Sequence, residues 1–362
     1  MKALVVNALG HGFDLEDVQI AQPMGREVLM EVQASGLCHT DLLFATHDIV
    51  PMPAVLGHEV AGVVAEVGPE VTQFRVGDHV AGSLTQTCGA CARCVSGRSF
   101  QCQHPEATLR HPTDLPRLSR DGVGLFQCMG LGGFAERALV HENQLAVLPK
   151  EMPFAQAALL GCGVVTGAGA VLNTAKVKPG ETVVIFGAGG VGLNAVSGAR
   201  IAAALRVIVI DIKARRLEAA VGFGATDLID SSKVDPVEAV RDLLRGGADH
   251  VFDFVGLKAV AEQGLAMLGV GGGLYLVGVS KPEVSIDLNI FNAIGGQKRV
   301  QGVNFGSTNF KHDIPMYAEL YLQGRMNLDD LVSKRIALRE VNEGYAALKD
   351  GSLNRIVVTS FE

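Results

Sequence analysis

Two groups of residues in this chain have the types and spacing to do chemistry. The first is Cys88, Cys91, Cys94 and Cys102, a C-x2-C-x2-C-x7-C array on one short stretch. Four thiolates on one loop can close a tetrahedron around Zn²⁺ and leave no position for substrate, which predicts a structural site. A redox C-x-x-C pair needs only two of these sulfurs, and an iron–sulfur cluster takes all four but has no evident electron partner in this sequence. The second group runs from Thr182 to Asp211. An apolar segment, Thr182 to Phe186, enters Gly187-Ala188-Gly189-Gly190-Val191-Gly192 and then an Ala-rich helical stretch, Leu193 to Ala204. Glycines at this strand-to-helix junction permit a tight turn, close approach of backbone to a pyrophosphate, and packing of helix on strand. The helix N-terminus turns free N–H groups towards the phosphates. A further apolar run, Arg206 to Ile210, ends in Asp211. A carboxylate there accepts hydrogen bonds from a ribose 2′-hydroxyl and repels a 2′-phosphate, so the predicted cofactor is NAD. A lone glycine motif arises for packing reasons alone; here strand, helix and acid all agree.

At 362 residues the chain is long enough for two domains and a substantial core. Lys plus Arg number 31 against 38 for Asp plus Glu, and the net charge of −7 argues against nucleic acid or an anionic membrane as partner. The opening MKALVVNALGHGF is too short an apolar stretch for an export signal or a membrane span, and charge or glycine interrupts the others. The expectation is a cytoplasmic protein. Its seven cysteines, an odd number, then suggest metal before disulfide.

These groups need elements to position them. From Lys2 to Val32, ALVVNAL and EVLMEV read as strands, and the segment from Ala34 to Asp41 leads into a short helix. Cys38 and His58 sit among apolar neighbours and read, taken alone, as core residues. Val60 to Val80 alternates apolar and polar residues between Gly-Pro and Val-Gly-Asp turns, the pattern of a compact β-rich unit or partial barrel. Gln103 to Gly133 is rich in Pro, Gly, Arg and His and weakly periodic, so it reads as a long loop over the site or an oligomer contact. Cys128 within it receives no role. Strand-like alternation returns from Phe134 to Pro149, and Phe154 to Val171 reads as a helix carrying Cys162. Beyond Asp211, helices at 213–223, 237–244 and 257–268 alternate with strands at 227–229, 250–254 and 273–279. That alternation predicts a parallel, doubly wound sheet with helices on both faces. Asn304 to Glu362 supplies two helices and a final strand, Arg355 to Ser360, expected to return to the first domain.

Along nearly its whole length the chain resembles the zinc-dependent, medium-chain alcohol dehydrogenases, most closely the branch with aryl-alcohol and glutathione-linked formaldehyde enzymes. The resemblance is carried by GLCHTD at Gly36 to Asp41, GHE-x2-G-x5-G-x2-V from Gly57 to Val71, and the four-cysteine array. LGCG-x-x-TG at Leu160 to Gly167, GAGGVG and the closing Asn354-Arg355 complete it, in the family's order and spacing. It implies an α/β chain: a Rossmann doubly wound parallel sheet over residues 164–303 that binds NAD, and a β-rich GroES-like catalytic domain over 1–163 and 304–362. It also implies two Zn²⁺ per chain. Cys38, His58 and Cys162 would hold the catalytic zinc, in the Cys₂His pattern known for alcohol dehydrogenases, with Glu59 as an alternative ligand. Asp41 would orient His58, because a metal-bound imidazole usually donates its other N–H to a carboxylate. Thr40 resembles the hydroxyl that takes the substrate proton, and hydride would pass from a zinc-bound alkoxide to the nicotinamide. His39, Thr166, Val191, Arg216 and Arg355 fall at positions that contact the dinucleotide, His39 and Arg355 at its pyrophosphate.

One departure matters. Many relatives place His five residues after the first zinc ligand, where this chain has Leu43, so the proton relay must end elsewhere: at His39, at His47, or in solvent. Leu43, with Leu84 in a position often aromatic, tilts the expected substrate towards a primary alcohol that is aryl or otherwise bulky and apolar. A formaldehyde–thiol adduct is the alternative and would need basic residues near the pocket mouth, for which Arg110, Arg117 and Arg120 are candidates. A non-catalytic nucleotide-binding structural or regulatory protein is the reading of another class, and it predicts broken ligands where none is broken. The long 103–133 segment resembles dimeric members, which implies a homodimer, with a homotetramer as the other assembly.

Overall fold

The computed structural model describes every residue except 350 and 352. The chain divides into two compact units, one of Met1–Cys162, Asn309–Gly324 and Leu328–Glu362, the other of Gly163–Thr308 with Arg325–Asn327.

The second unit is built on a six-stranded parallel sheet. Across it the strands run Asp227–Asp230, Arg206–Asp211, Thr182–Phe186, Ala248–Asp253, Leu268–Leu276, Arg299–Gly302. In chain order that is 3-2-1-4-5-6, the doubly wound arrangement whose strand order reverses beside the first strand. Val183–Phe186 and Val207–Ile210 are buried without interruption, as strands covered on both faces must be. Crossovers are made by the helices Gly190–Ile201, Ala214–Phe223, Pro236–Leu243 and Lys258–Met267. Pro236–Leu243 starts sharply because the Asp235 carboxylate accepts from the N–H groups of Val237 and Glu238, and Pro236 has no N–H to leave unpaired.

The first unit centres on a seven-stranded sheet in which Glu27–Gly36 is the hub. Glu59–Val67 and Arg137–His141 pair with it antiparallel, and the C-terminal strand Arg355–Ser360 joins it at Val357↔Gly36 and Val358↔Ser35. The end of Glu27–Gly36 therefore lies between the strand that begins at Glu59 and the strand that begins at Arg355.

The stretch 103–133 is not the featureless loop its composition suggests. It contains a turn of 3-10 helix, Pro105–Thr108, and the strands Leu118–Arg120, Val123–Gly124 and Phe126–Gln127. Asp121 and Gly122 both have positive φ, 51° and 79°, and close a two-residue hairpin between Arg120 and Val123. Asp-Gly is a strong hairpin signal, hidden here by the Pro-rich sequence before it. Phe154–Ala175 is the one helix among the described residues long and apolar enough to cross a membrane, and 89% of its most apolar stretch is buried, as in a core helix. One π-type turn, Leu160–Val164, interrupts it and another, Ala170–Ala175, ends it.

Candidate active site

Four ligand-capable side chains from three separate stretches of the first unit converge: Cys38, His58, Glu59 and Cys162, whose ligand atoms all lie within 4.8 Å of one another. Cys38 lies two residues beyond the hub strand, at the N-cap of the helix His39–Thr46, its backbone extended at φ −108° and ψ 144°. Its carbonyl accepts from the N–H of Asp41 at 3.1 Å and from the Tyr345 hydroxyl at 3.1 Å. His58 follows Gly57, whose φ of +91° and closeness to the Phe134 backbone exclude a side chain. One oxygen of buried Asp41 accepts from the Gly57 N–H at 2.9 Å and stands 3.0 Å from His58 Nδ1. This arrangement puts the imidazole proton on Nδ1 and leaves the Nε2 lone pair free for a metal.

Glu59 is fully buried, in space that exists because residue 36 is glycine: a Cβ there would overlap the Glu59 carboxylate. Neither carboxylate oxygen has a hydrogen-bond partner, and Arg355 Nη2 is 3.5 Å away. Burial pushes the Glu59 carboxyl up to about 7 despite the opposing pull of the Arg355 guanidinium. Cys162 projects from the turn Leu160–Val164, where Gly161 packs against the Gly82 carbonyl. Such π-type turns in a helix often mark functional positions. Between the two thiols, a hydrogen bond from Cys162 holds Cys38 well below the ordinary thiol range, and the same bond holds Cys162 above it. For His58, burial opposes the positive charge, but the Asp41 carboxylate and Cys38 outweigh it and raise the imidazole. Two sulfurs, one imidazole nitrogen and a carboxylate without hydrogen-bond donors are costly to bury together unless they face a cation, and the set fits zinc.

The second cluster is local. Cys88, Cys91, Cys94 and Cys102 also bring their sulfurs within 4.8 Å of one another, but each is only half-buried. Backbone N–H groups point at the sulfurs: Cys88 at Cys102 (3.2 Å), Cys91 at Cys88 (3.3 Å) and His104 at Cys102 (3.4 Å). Donors of this kind stabilise thiolates, so this set too fits zinc, as a closed four-sulfur site. Its root is fastened where the Thr87 hydroxyl donates to the Asn143 carbonyl at 3.2 Å.

In the second unit the glycine turn has the shape its spacing predicts. Gly187 has φ +92°, a Cβ at Gly192 would overlap the Gly187 carbonyl, and a Cβ at Gly189 would enter open space. That open cradle faces the N-terminus of the helix Gly190–Ile201, the geometry that fits a pyrophosphate. Val191 and Thr166 are half-buried, and Gly167 lets the helix Val165–Gly169 approach the Val191 backbone closely. Asp211, buried at its strand's end, accepts from the N–H of Ala188 at 2.9 Å and of Lys213 at 3.0 Å. Arg216 Nη1 lies 3.8 Å from the same carboxylate.

Other predicted residues fall as follows. His39 is exposed on its helix, whereas Arg355 is buried against Glu59 and donates to the Leu37 carbonyl at 3.5 Å. Thr40 Oγ1 lies 3.7 Å from Cys38 Sγ, and Leu43 is half-buried. His47 is exposed, its Nδ1 3.0 Å from the Thr46 hydroxyl. The three arginines suggested for a thiol adduct are all ion-paired. Arg110 and Arg117 share the buried Glu27 at 2.6 and 2.7 Å, and Arg120 pairs with Glu16. Cys128 is a core thiol whose pKa burial pushes up to about 12. Sequence reasoning missed Gly36 as the residue that makes room for Glu59, and Tyr345 as a partner of Cys38. Gly36 was visible within GLCHTD, but nothing local to Tyr345 announces its partner.

Fold and clusters together define a zinc-binding, dinucleotide-type dehydrogenase, and comparison with known proteins agrees. The alcohol dehydrogenase GroES-like domain family matches residues 24–150, and the zinc-binding dehydrogenase family matches residues 190–322. The chain is 37% identical to an NDMA-dependent alcohol dehydrogenase of Amycolatopsis methanolica, over 99% of this chain and 98% of that one. It is 36% identical to an S-(hydroxymethyl)glutathione dehydrogenase of Synechocystis, over 99% of each. The crystal structure of benzyl alcohol dehydrogenase from Acinetobacter calcoaceticus superposes with a TM-score of 0.94 at 34% identity, covering 99% of both chains. The chain belongs to the zinc-dependent alcohol dehydrogenase family and is an oxidoreductase.

Proposed function

We propose that this protein is an NAD-dependent dehydrogenase that interconverts primary alcohols, aryl or otherwise bulky and apolar, with their aldehydes. The observation that carries the reading is the convergence of Cys38, His58 and Cys162, with Glu59 beside them, in a chain whose glycine turn is held by Asp211. Zinc held by the first three would act as a Lewis acid towards an alcohol oxygen and make its proton easier to lose near neutral pH. Asp41 fixes the His58 ring, Arg355 balances the Glu59 charge, and the Thr40 hydroxyl beside Cys38 takes the substrate proton. Leu43 cannot pass that proton on, so solvent or the exposed His47 completes the transfer. Cys88, Cys91, Cys94 and Cys102 would hold a second, structural zinc. Thr166, Val191 and Arg216 complete the dinucleotide site of the second unit. Asp211, already holding the glycine turn through Ala188, favours a free 2′-hydroxyl over a 2′-phosphate.

The names of the relatives support a second reading, oxidation of an S-(hydroxymethyl)thiol. Against it stand Arg110, Arg117 and Arg120, whose charges are spent on Glu27 and Glu16. We also read the protein as a cytoplasmic homodimer. Its seven free cysteines suit a reducing compartment, and the outermost strand Arg299–Gly302 is exposed at an open sheet edge after a helix that exposes Ile290, Phe291 and Ile294. Turnover of benzyl alcohol, aliphatic alcohols and formaldehyde with and without glutathione, each with NAD, NADP or NDMA as acceptor, tests the reading. Preference for benzyl alcohol with NAD is expected, and Asp211→Gly narrows the gap to NADP. Equal turnover with NAD and NADP in the unaltered protein, or activity only with the thiol adduct, overturns it.

A further inference from the structure

The geometry points to Tyr345 as a positioning residue for the Cys38–His58 metal site, acting from the C-terminal helix through the peptide of Cys38; we infer this role on the reading that these residues bind zinc. Tyr345 lies on the helix Val341–Leu348, is buried, and sends its hydroxyl to the Cys38 carbonyl at 3.1 Å. That carbonyl also accepts the Asp41 N–H, the bond that starts the helix His39–Thr46. Tyr345 thus grips the junction from which the Cys38 thiol and the Asp41 carboxylate both depart.

The ring is held as firmly as the hydroxyl. Phe13 stacks on it at 5.4 Å and 15°, and Phe13 meets Phe134 edge-on at 5.7 Å and 84°. Phe13 cannot slide, because Asn342, one helical turn before Tyr345, accepts its N–H at 3.0 Å and donates to its carbonyl at 2.9 Å. At the far end of the column, the N–H of Phe134 donates to the Leu56 carbonyl at 3.0 Å, and the Phe134 ring occupies the space a Gly57 side chain would need. The column Tyr345–Phe13–Phe134 therefore touches the Cys38 peptide at one end and the Leu56-Gly57 backbone leading into His58 at the other. Ligand separation is set by one stacked and one edge-on contact between rotamer-poor rings, a rigid spacer that aliphatic packing would not supply.

Tyr345→Phe keeps the ring and removes only the donor, leaving the Cys38 carbonyl with the Asp41 N–H. In the full-length protein carrying Co²⁺ at both sites, this variant should shift the thiolate-to-cobalt absorption of the catalytic site and speed its metal loss to a chelator about fivefold, the worth of one hydrogen bond of ordinary strength. The four-cysteine site, in the same molecule, should keep its rate. Asn342→Ala, which frees Phe13 without touching Tyr345, should produce a smaller shift in the same band. An unchanged band and rate in Tyr345→Phe overturn the inference, as does equal acceleration at both sites, which would mean general loosening. If Cys162→Ser leaves the metal content of the parent protein unaltered, the zinc reading itself fails, and that outcome is distinct.

Discussion

The two cysteine clusters of this protein are assembled in opposite ways. Cys88, Cys91, Cys94 and Cys102 come from one loop, half-exposed, their sulfurs met by backbone N–H groups of the same loop. Cys38, His58, Glu59 and Cys162 come from a helix cap, the start of a strand and a π-type turn far along the chain, and tertiary structure alone brings them together. On the zinc reading, the local cluster would spend all four ligands on closure and could only stabilise. The dispersed cluster would offer three ligands and a buried carboxylate, leaving a coordination position available, with a geometry answerable to Asp41, Arg355, Gly36 and Tyr345. A site that must be tuned is spread over the fold; a site that must merely hold is written in one stretch.

The sharpest break in this comparison comes from removing one sulfur from each cluster. Cys162→Ser should cut turnover about a thousandfold or more, since several kcal/mol of charge stabilisation are lost with the metal, while thermal unfolding stays close to that of the parent protein. Cys94→Ser should do the reverse: a fall in Tm on the order of 5–10 °C, with substantial activity surviving at low temperature. Metal analysis of each variant should find one zinc where the parent has two. A parent protein active with a single zinc would remove the distinction.

The same contrast explains what could be read from the sequence. The four-cysteine spacing and the glycine turn with Asp211 are local patterns, and local spacing fixes local geometry. The dispersed cluster was reachable only through family resemblance, because Cys38 and His58 on their own look like core residues, and nothing near Cys162 shows a π-type turn. Long-range pairings were out of reach altogether. No local rule sends Tyr345 to Cys38, or Arg110 and Arg117 to Glu27. The hairpin at Asp121-Gly122 was legible and was obscured only by the Pro-rich composition around it.

A smaller effect should come from Gly36→Ala. The added methyl collides with the Glu59 carboxylate and crowds Leu159, and overpacking of this sort costs about 1–3 kcal/mol. Because the displaced group is Glu59, activity should fall with stability. Gly97→Ala is the matched change in the local loop, with open space but φ +78°; it should cost about 1 kcal/mol through backbone strain and leave kcat unchanged. Equal effects of the two on kcat would show that Gly36 matters only to packing.

The smallest effect tests whether the local cluster is as independent as its ligand set suggests. Its root is tied by Thr87 to the Asn143 carbonyl, and Asn143 lies in the turn Glu142–Gln144, which His141 caps by accepting the Asn143 N–H on Nδ1 at 3.0 Å. A protonated ring cannot accept that bond. Burial, reinforced by the Arg26 and Arg117 cations and opposed by Glu142 and Glu27, pushes His141 down to about 4. The unfolded chain, with its histidine near 6.5, therefore binds this proton more readily than the folded one. The cap's contribution is complete above about pH 6.5 and is lost as pH falls towards about 4. His141→Asn supplies an equally good capping acceptor that does not titrate in this range. Between pH 7 and pH 5 the parent protein should lose about 2–3 °C more in Tm than the variant, on the scale expected for roughly 2 kcal/mol in a chain of this size. Parallel Tm profiles would show that protonation of His141 does not loosen the turn to which the four-cysteine loop is tied.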